Sequence, residues 1–120
     1  MKKKILIVED EVLIREMLKE IFQTVFAEVF TAGNGIQGIE RFQEHSPDLI
    51  ITDIKMRKMD GLTMIEEIQQ IQPDQKFIII TAYSDEQHIK TAQRLGILDF
   101  FIKPVDSREL INKAIQILQS

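Results

Sequence analysis

The chain has 120 residues, 19 acidic against 15 basic side chains, a formal net charge of −4 and no cysteine. Without thiols there is no disulfide framework, thiolate metal site or cysteine nucleophile. The acidic surplus argues against direct nucleic-acid binding, which needs a basic face, and no apolar run approaches the ~18 residues of a membrane span.

Lys2-Lys3-Lys4 leads into an apolar run too short for a signal sequence, followed at once by Glu9-Asp10-Glu11. A soluble, cytoplasmic protein without a membrane partner is expected. Its length suits one domain, residues 1–120, with a core that needs no staple.

The first apolar run, Ile5-Leu6-Ile7-Val8, is continuous, as in a strand covered on both faces. Ile14, Met17, Leu18, Ile21, Phe22 and Val25 then fall on one helical stripe. Glu28-Val29-Phe30-Thr31 mixes polar and apolar residues and reads as an edge strand. In the turn Gly33-Asn34-Gly35, Gly35 tolerates positive φ and Asn34 caps a helix whose stripe is Ile36, Ile39 and Phe42. Ser46-Pro47-Asp48 separates it from the strand Leu49-Ile50-Ile51. Asp60-Gly61 opens a third helix carrying Leu62, Ile65, Ile68 and Ile71, which Pro73-Asp74 ends. The fourth strand is Phe77-Ile78-Ile79-Ile80. The fourth helix, Asp85 to Leu95, offers only Ile89, Ala92 and Leu95, so loose anchoring is expected before Gly96 ends it. Phe100-Phe101-Ile102 is the last strand. Leu110, Ile111, Ala114, Ile115 and Leu118 mark the last helix, with Asp106 and Glu109 spaced like a capping box. Five β–α units imply right-handed crossovers and a doubly wound parallel α/β sheet. Ligands of such sheets gather at the carboxyl ends of the strands.

Those ends are polar. The first strand runs into Glu9-Asp10, the third into Asp53, the fourth into Thr81-Ala82 and the fifth into Lys103-Pro104. Each has an ordinary reading: acids in a first helical turn, a turn cap, a β-branched strand residue, a solvated strand end. Together they describe a pocket. Three carboxylates in one place repel, and Mg²⁺, which prefers carboxylate and water oxygens, resolves the conflict. Lys103 and Thr81 would grip the equatorial oxygens of a phosphoryl group.

These segments resemble the response-regulator receiver domain of two-component signalling. The resemblance is carried by Ile5 to Glu11, Pro47 to Met56, Met59-Asp60-Gly61, Thr81-Ala82 and Lys103-Pro104, in order along nearly the whole chain. It implies a (βα)5 flavodoxin-like fold with strand order 2-1-3-4-5. It implies Asp53 as phosphoacceptor from a histidine kinase or histidine phosphotransfer protein. Glu9, Asp10, Asp53 and the Lys55 main-chain carbonyl would bind Mg²⁺. Thr81 would bond the phosphoryl group, Lys103 would pair with it, and Phe100 would be the aromatic switch. The Lys103–Pro104 peptide would be cis. The output would be a changed face of helix four, strand five and helix five, read by a downstream protein target or output domain, with a phosphorylation-dependent dimer left open. Such a domain catalyses its own phosphorylation and dephosphorylation and is not a turnover enzyme.

The chain departs from the family's usual pattern in three places. Glu9 stands where an aspartate is frequent, Arg57 where proline usually follows Met56, and Phe100 where tyrosine is frequent. The resemblance also assigns Lys55 and Tyr83 to tuning phosphoryl lifetime, and a bulky Tyr83 predicts a longer one.

Three rival readings stand beside this one. Gly33 to Gly38 fits a dinucleotide-binding G-x-G-x-x-G, but it follows the edge strand rather than the central first strand. A receiver-fold interaction module without phosphorylation would not need Glu9, Asp10, Asp53, Thr81 and Lys103 together. A phosphatase using Asp53 would be expected to carry a second aspartate where Lys55 stands. His45, placed at a helix end, and His88, placed on an exposed helix face, have no cysteine partners for zinc.

Overall fold

The computed structural model describes residues 1–82 and 86–119. Strands and helices alternate as β1 Lys4–Val8, α1 Val12–Gln23, β2 Glu28–Ala32, α2 Gly35–His45, β3 Leu49–Thr52, α3 Gly61–Ile71, β4 Lys76–Thr81, α4 Glu86–Arg94, β5 Phe100–Ile102 and α5 Ser107–Gln119. All strand pairs are parallel, in the order β2-β1-β3-β4-β5. No helix among the described residues is long and apolar enough to cross a membrane.

The order explains the layering. The chain steps one way from β1 to β2 and the other way through β3, β4 and β5, so right-handed crossovers send helices to opposite faces. Side chains alternate along each strand to match. Ile5, Ile7, Leu49, Ile51, Ile78 and Ile80 pack with Leu18 and Phe22 of α1 and Leu110, Ala114 and Leu118 of α5. Leu6, Val8, Ile50, Phe77 and Ile79 pack with Phe42 of α2, Met64, Ile65 and Ile68 of α3, and Ala92 of α4.

Polar side chains set the helix starts. Asn34 accepts from the Gln37 N–H at 2.9 Å and Asp60 from the Thr63 N–H at 2.8 Å. Asp106 accepts from the N–H groups of Arg108 and Glu109 at 2.9 and 3.3 Å. Each such cap is worth about 1 kcal/mol.

Several local expectations change. Met17, Ile36 and Ile71 are exposed rather than in the core. Their stripes are wider than the contact each helix makes: Leu18, Phe22, Phe42, Leu62, Ile65 and Ile68 of those stripes are buried, and Gly38 and Met64, outside them, are buried as well. Gly35 does not take positive φ; Ser46, Lys58 and Gly96 do. Gly35 answers a close approach: a Cβ there would stand 2.6 Å from the Met59 carbonyl oxygen, to which its N–H donates. The expected start of the fourth helix at Asp85 lies outside the described residues.

Candidate functional site

Strand register assembles the site. Val8 pairs with Thr52, so Glu9 and Asp53 leave neighbouring strands at one level. The Asp53 N–H donates to the Val8 carbonyl at 3.2 Å, and the Glu9 N–H to that of Ala32 at 3.0 Å. Glu9, Asp10 and Asp53 each present a carboxylate oxygen, all within 4.8 Å of one another. Glu9 and Asp53 are buried and Asp10 is half-buried.

Lys103, just beyond β5, reaches across β4 into this cluster. Its Nζ lies 2.7 Å from Asp53 Oδ2 and 2.8 Å from Glu9 Oε1. The remaining oxygens are also engaged: Asp53 Oδ1 accepts from the Ile54 N–H at 2.7 Å, and Glu9 Oε2 from the Glu11 N–H at 3.1 Å. Thr81 is buried at the end of β4, and its carbonyl accepts from the Lys103 N–H at 2.8 Å. The Lys103–Pro104 peptide is cis, as expected.

Burial pushes the Glu9 carboxyl above its ordinary value, outweighing the hydrogen bonds from Lys103 and Glu11 that lower it. Burial works to lower the Lys103 ammonium, but its bonds to Asp53 and then Glu9 hold it above its ordinary value. Three carboxylates thus face one ammonium, with negative charge to spare. A hard divalent cation fits that donor set: closely spaced oxygens, no sulfur, and uncompensated charge.

Other expected residues among the described ones lie outside the carboxylate–lysine cluster. Lys55 lies two residues past Asp53 on an exposed loop, and Phe100 opens β5, half-buried against the core beneath α3 and α4. Tyr83 lies outside the described residues. His45 ends α2 with its ring stacked on Phe30 at 3.8 Å. His88 is half-buried rather than on a fully exposed face.

Two contributors were not legible as such. Gly61 belonged to a matching segment, but its purpose is close approach: a Cβ there would collide with the Asp53 carbonyl oxygen, and its N–H donates to Ile54 O at 2.7 Å. Arg15 lies in the first turn of α1, and its Nη1 donates to the Glu9 carbonyl at 2.9 Å. Neither contact leaves a trace in local sequence, because both are made between separate elements.

Comparison with known proteins gives the same picture. The "Response regulator receiver domain" family model matches residues 5–115. The chain is 39% identical over 119 residues to chemotaxis protein CheY of Bacillus subtilis, covering 96% of this chain and 99% of that protein. Its fold is similar to the crystal structure of the N-terminal domain of an uncharacterized protein from Wolinella succinogenes, with TM-score 0.93, 38% identity and coverage of 98% and 94%. It is also similar to a chain in the CheX–CheY–BeF3–Mg²⁺ complex from Borrelia burgdorferi, with TM-score 0.88, 29% identity and coverage of 96% and 88%. With an acidic cluster at the ends of β1 and β3 and this family match over most of its length, the chain belongs to the response-regulator receiver domains, self-phosphorylating switches of two-component signalling.

Proposed function

We propose that residues 1–120 act as a single receiver domain that takes a phosphoryl group onto Asp53 from a phosphohistidine on a histidine kinase or phosphotransfer protein. The observation carrying this reading is the bridge from Lys103 to both Glu9 and Asp53, which holds a cation against the acceptor carboxylate. An Asp53 oxygen attacks phosphorus, an O–P bond forms, the N–P bond breaks, and the imidazole leaves. Lys103 pairs with a phosphoryl oxygen as charge builds, and Thr81 donates its hydroxyl to another. Glu9, Asp10, Asp53 and the Lys55 carbonyl would hold Mg²⁺. Bound there, the ion would neutralise charge on the transferring oxygens. Mg²⁺ in a complex of a structural neighbour supports this assignment.

The surface supports two protein partners. An apolar groove of about 510 Å³, lined by Ile14, Met17, Leu18, Pro104 and Val105, runs up to Lys103 and suits the approach of a phosphodonor protein. On the output side, Leu98 and Ile102 are exposed beside α4. The phosphoryl group adds charge next to Thr81; Phe100 then repacks by shape alone, having no hydroxyl, and alters the α4–β5–α5 face.

Incubation with Mg²⁺ and a small acyl-phosphate donor, followed by intact mass and peptide mapping, tests the assignment. One phosphoryl group on the peptide containing Asp53 is expected. No phosphate on the wild type, or phosphate retained by Asp53→Ala, refutes it.

A further inference from the structure

We propose that Arg15 is a positioning residue of the phosphoacceptor site, locking the acidic turn after β1 so that Glu9 and Asp10 face Asp53. The inference rests on the phosphoacceptor reading above and adds to it a residue from the first turns of α1.

Arg15 places a charged donor on a peptide carbonyl, that of Glu9, at 2.9 Å. Among the described residues its guanidinium has no carboxylate partner. The Glu9 main chain is therefore held from both sides, its N–H by Ala32 and its carbonyl by Arg15. The Glu9 side chain is fixed independently, by Lys103 and the Glu11 N–H. Asp10 differs. Among the described residues its carboxylate has no hydrogen-bond partner, so its direction depends on the backbone of the turn, which begins at the carbonyl Arg15 holds.

The glycine at 33 belongs to the same device. A Cβ there would stand 3.1 Å from Arg15 Nη1, tighter than ordinary contact, so the guanidinium would have to shift by a few tenths of an ångström to admit one. The Gly33 N–H is tied to Gln37 Oε1 at 2.8 Å, which keeps that turn in place. The first glycine of the nucleotide-like motif thus makes room for an arginine rather than for a pyrophosphate.

Charge and position predict opposite signs. A guanidinium near a divalent-cation site repels the ion, so if charge were its only effect, removing it would tighten Mg²⁺ binding. If Arg15 orients the ligands, removing it weakens binding, by about tenfold on the scale of residues that orient metal ligands.

The test is Mg²⁺ titration of the metal-free protein followed by amide NMR shifts, with urea unfolding in chelator run alongside. Arg15→Ala should raise the Mg²⁺ dissociation constant about tenfold. Its phosphorylation rate should fall at limiting Mg²⁺ and recover at saturating Mg²⁺. Arg15→Lys, which keeps a donor, should recover part of the affinity. Gly33→Ala, which crowds the guanidinium, should weaken Mg²⁺ in a folded protein, and combined with Arg15→Ala it should add little, since both break one contact. Unchanged or tighter binding in Arg15→Ala overturns the proposal, as does full additivity of the two substitutions. Should Arg15→Ala fail to fold in chelator, Gly33→Ala and Arg15→Lys decide in its place. A wild type that neither binds Mg²⁺ nor accepts phosphate on Asp53 overturns the phosphoacceptor reading itself, and the positioning role with it.

Discussion

Replacing Asp53 by Asn separates a site arranged for chemistry from one arranged for stability. Breaking a buried ion pair normally costs about 3–5 kcal/mol. Asp53, however, stands among charges of both signs. At an effective dielectric constant of about 20, each like charge 4.8 Å away repels it by about 3.5 kcal/mol, and Glu9 and Asp10 both lie within that distance. Lys103 at 2.7 Å attracts it by about 6 kcal/mol on the same scale. The two repulsions and the one attraction nearly cancel. Asparagine escapes the cost of burying a charge, keeps an oxygen for the Ile54 N–H, and leaves Lys103 paired with Glu9. In chelator, Asp53→Asn should therefore match the wild type or exceed it by up to about 1 kcal/mol, a rise of roughly 3–6 °C in melting temperature for a chain of this size. Adding Mg²⁺ reverses the order. At ten times its dissociation constant the ion should stabilise the wild type by about 1.4 kcal/mol, and the variant by much less. Urea unfolding followed by circular dichroism, with chelator or Mg²⁺, measures both. A loss of 3 kcal/mol or more in chelator, or an equal Mg²⁺ increment in both proteins, would refute the reasoning.

Further outcomes follow from the same geometry. Gly61→Ala should lower stability by several kcal/mol and slow phosphorylation, because its Cβ would be driven into the Asp53 carbonyl; near-wild-type unfolding and rates would show that the loop yields freely. Ile65→Ala, at a fully buried position between α3 and the sheet, should cost about 2–5 kcal/mol in urea unfolding while leaving Mg²⁺ affinity unchanged. Helix α4 buries only Ala92 fully, so its amides should exchange faster than those of α3 in the unphosphorylated protein; equal protection by hydrogen-exchange mass spectrometry would contradict its role as the movable element. Tyr83→Ala should shorten the life of the phosphoryl group if the tyrosine shields it from water. Equal rates of phosphate loss would remove that role.

Much of the molecule was legible in the order of its residues. Continuous apolar runs marked doubly covered strands, the mixed run at Glu28–Thr31 marked the edge, and their alternation with helical stripes led to a doubly wound sheet. Those signals are local: each records the environment of a short segment, and the periodicity of backbone structure makes it readable. The strand order came from likeness of motif, since periodicity does not say which strands are neighbours. Glu9, Asp10, Asp53, Thr81 and Lys103 were singled out for a related reason, because ligands of such a sheet lie at one end of every strand. The tertiary structure decided what depends on contact between distant segments. It sent Met17, Ile36 and Ile71 to the surface, because helix contact with a twisted sheet is narrower than the apolar stripe. It made Gly35 and Gly61 points of close approach between backbones. It also brought Lys103 within 2.8 Å of a glutamate 94 residues away and set Arg15 on the carbonyl of that same glutamate. Such contacts are fixed when the sheet closes its register and the helices settle on it, a step in which residues far apart in the chain become neighbours.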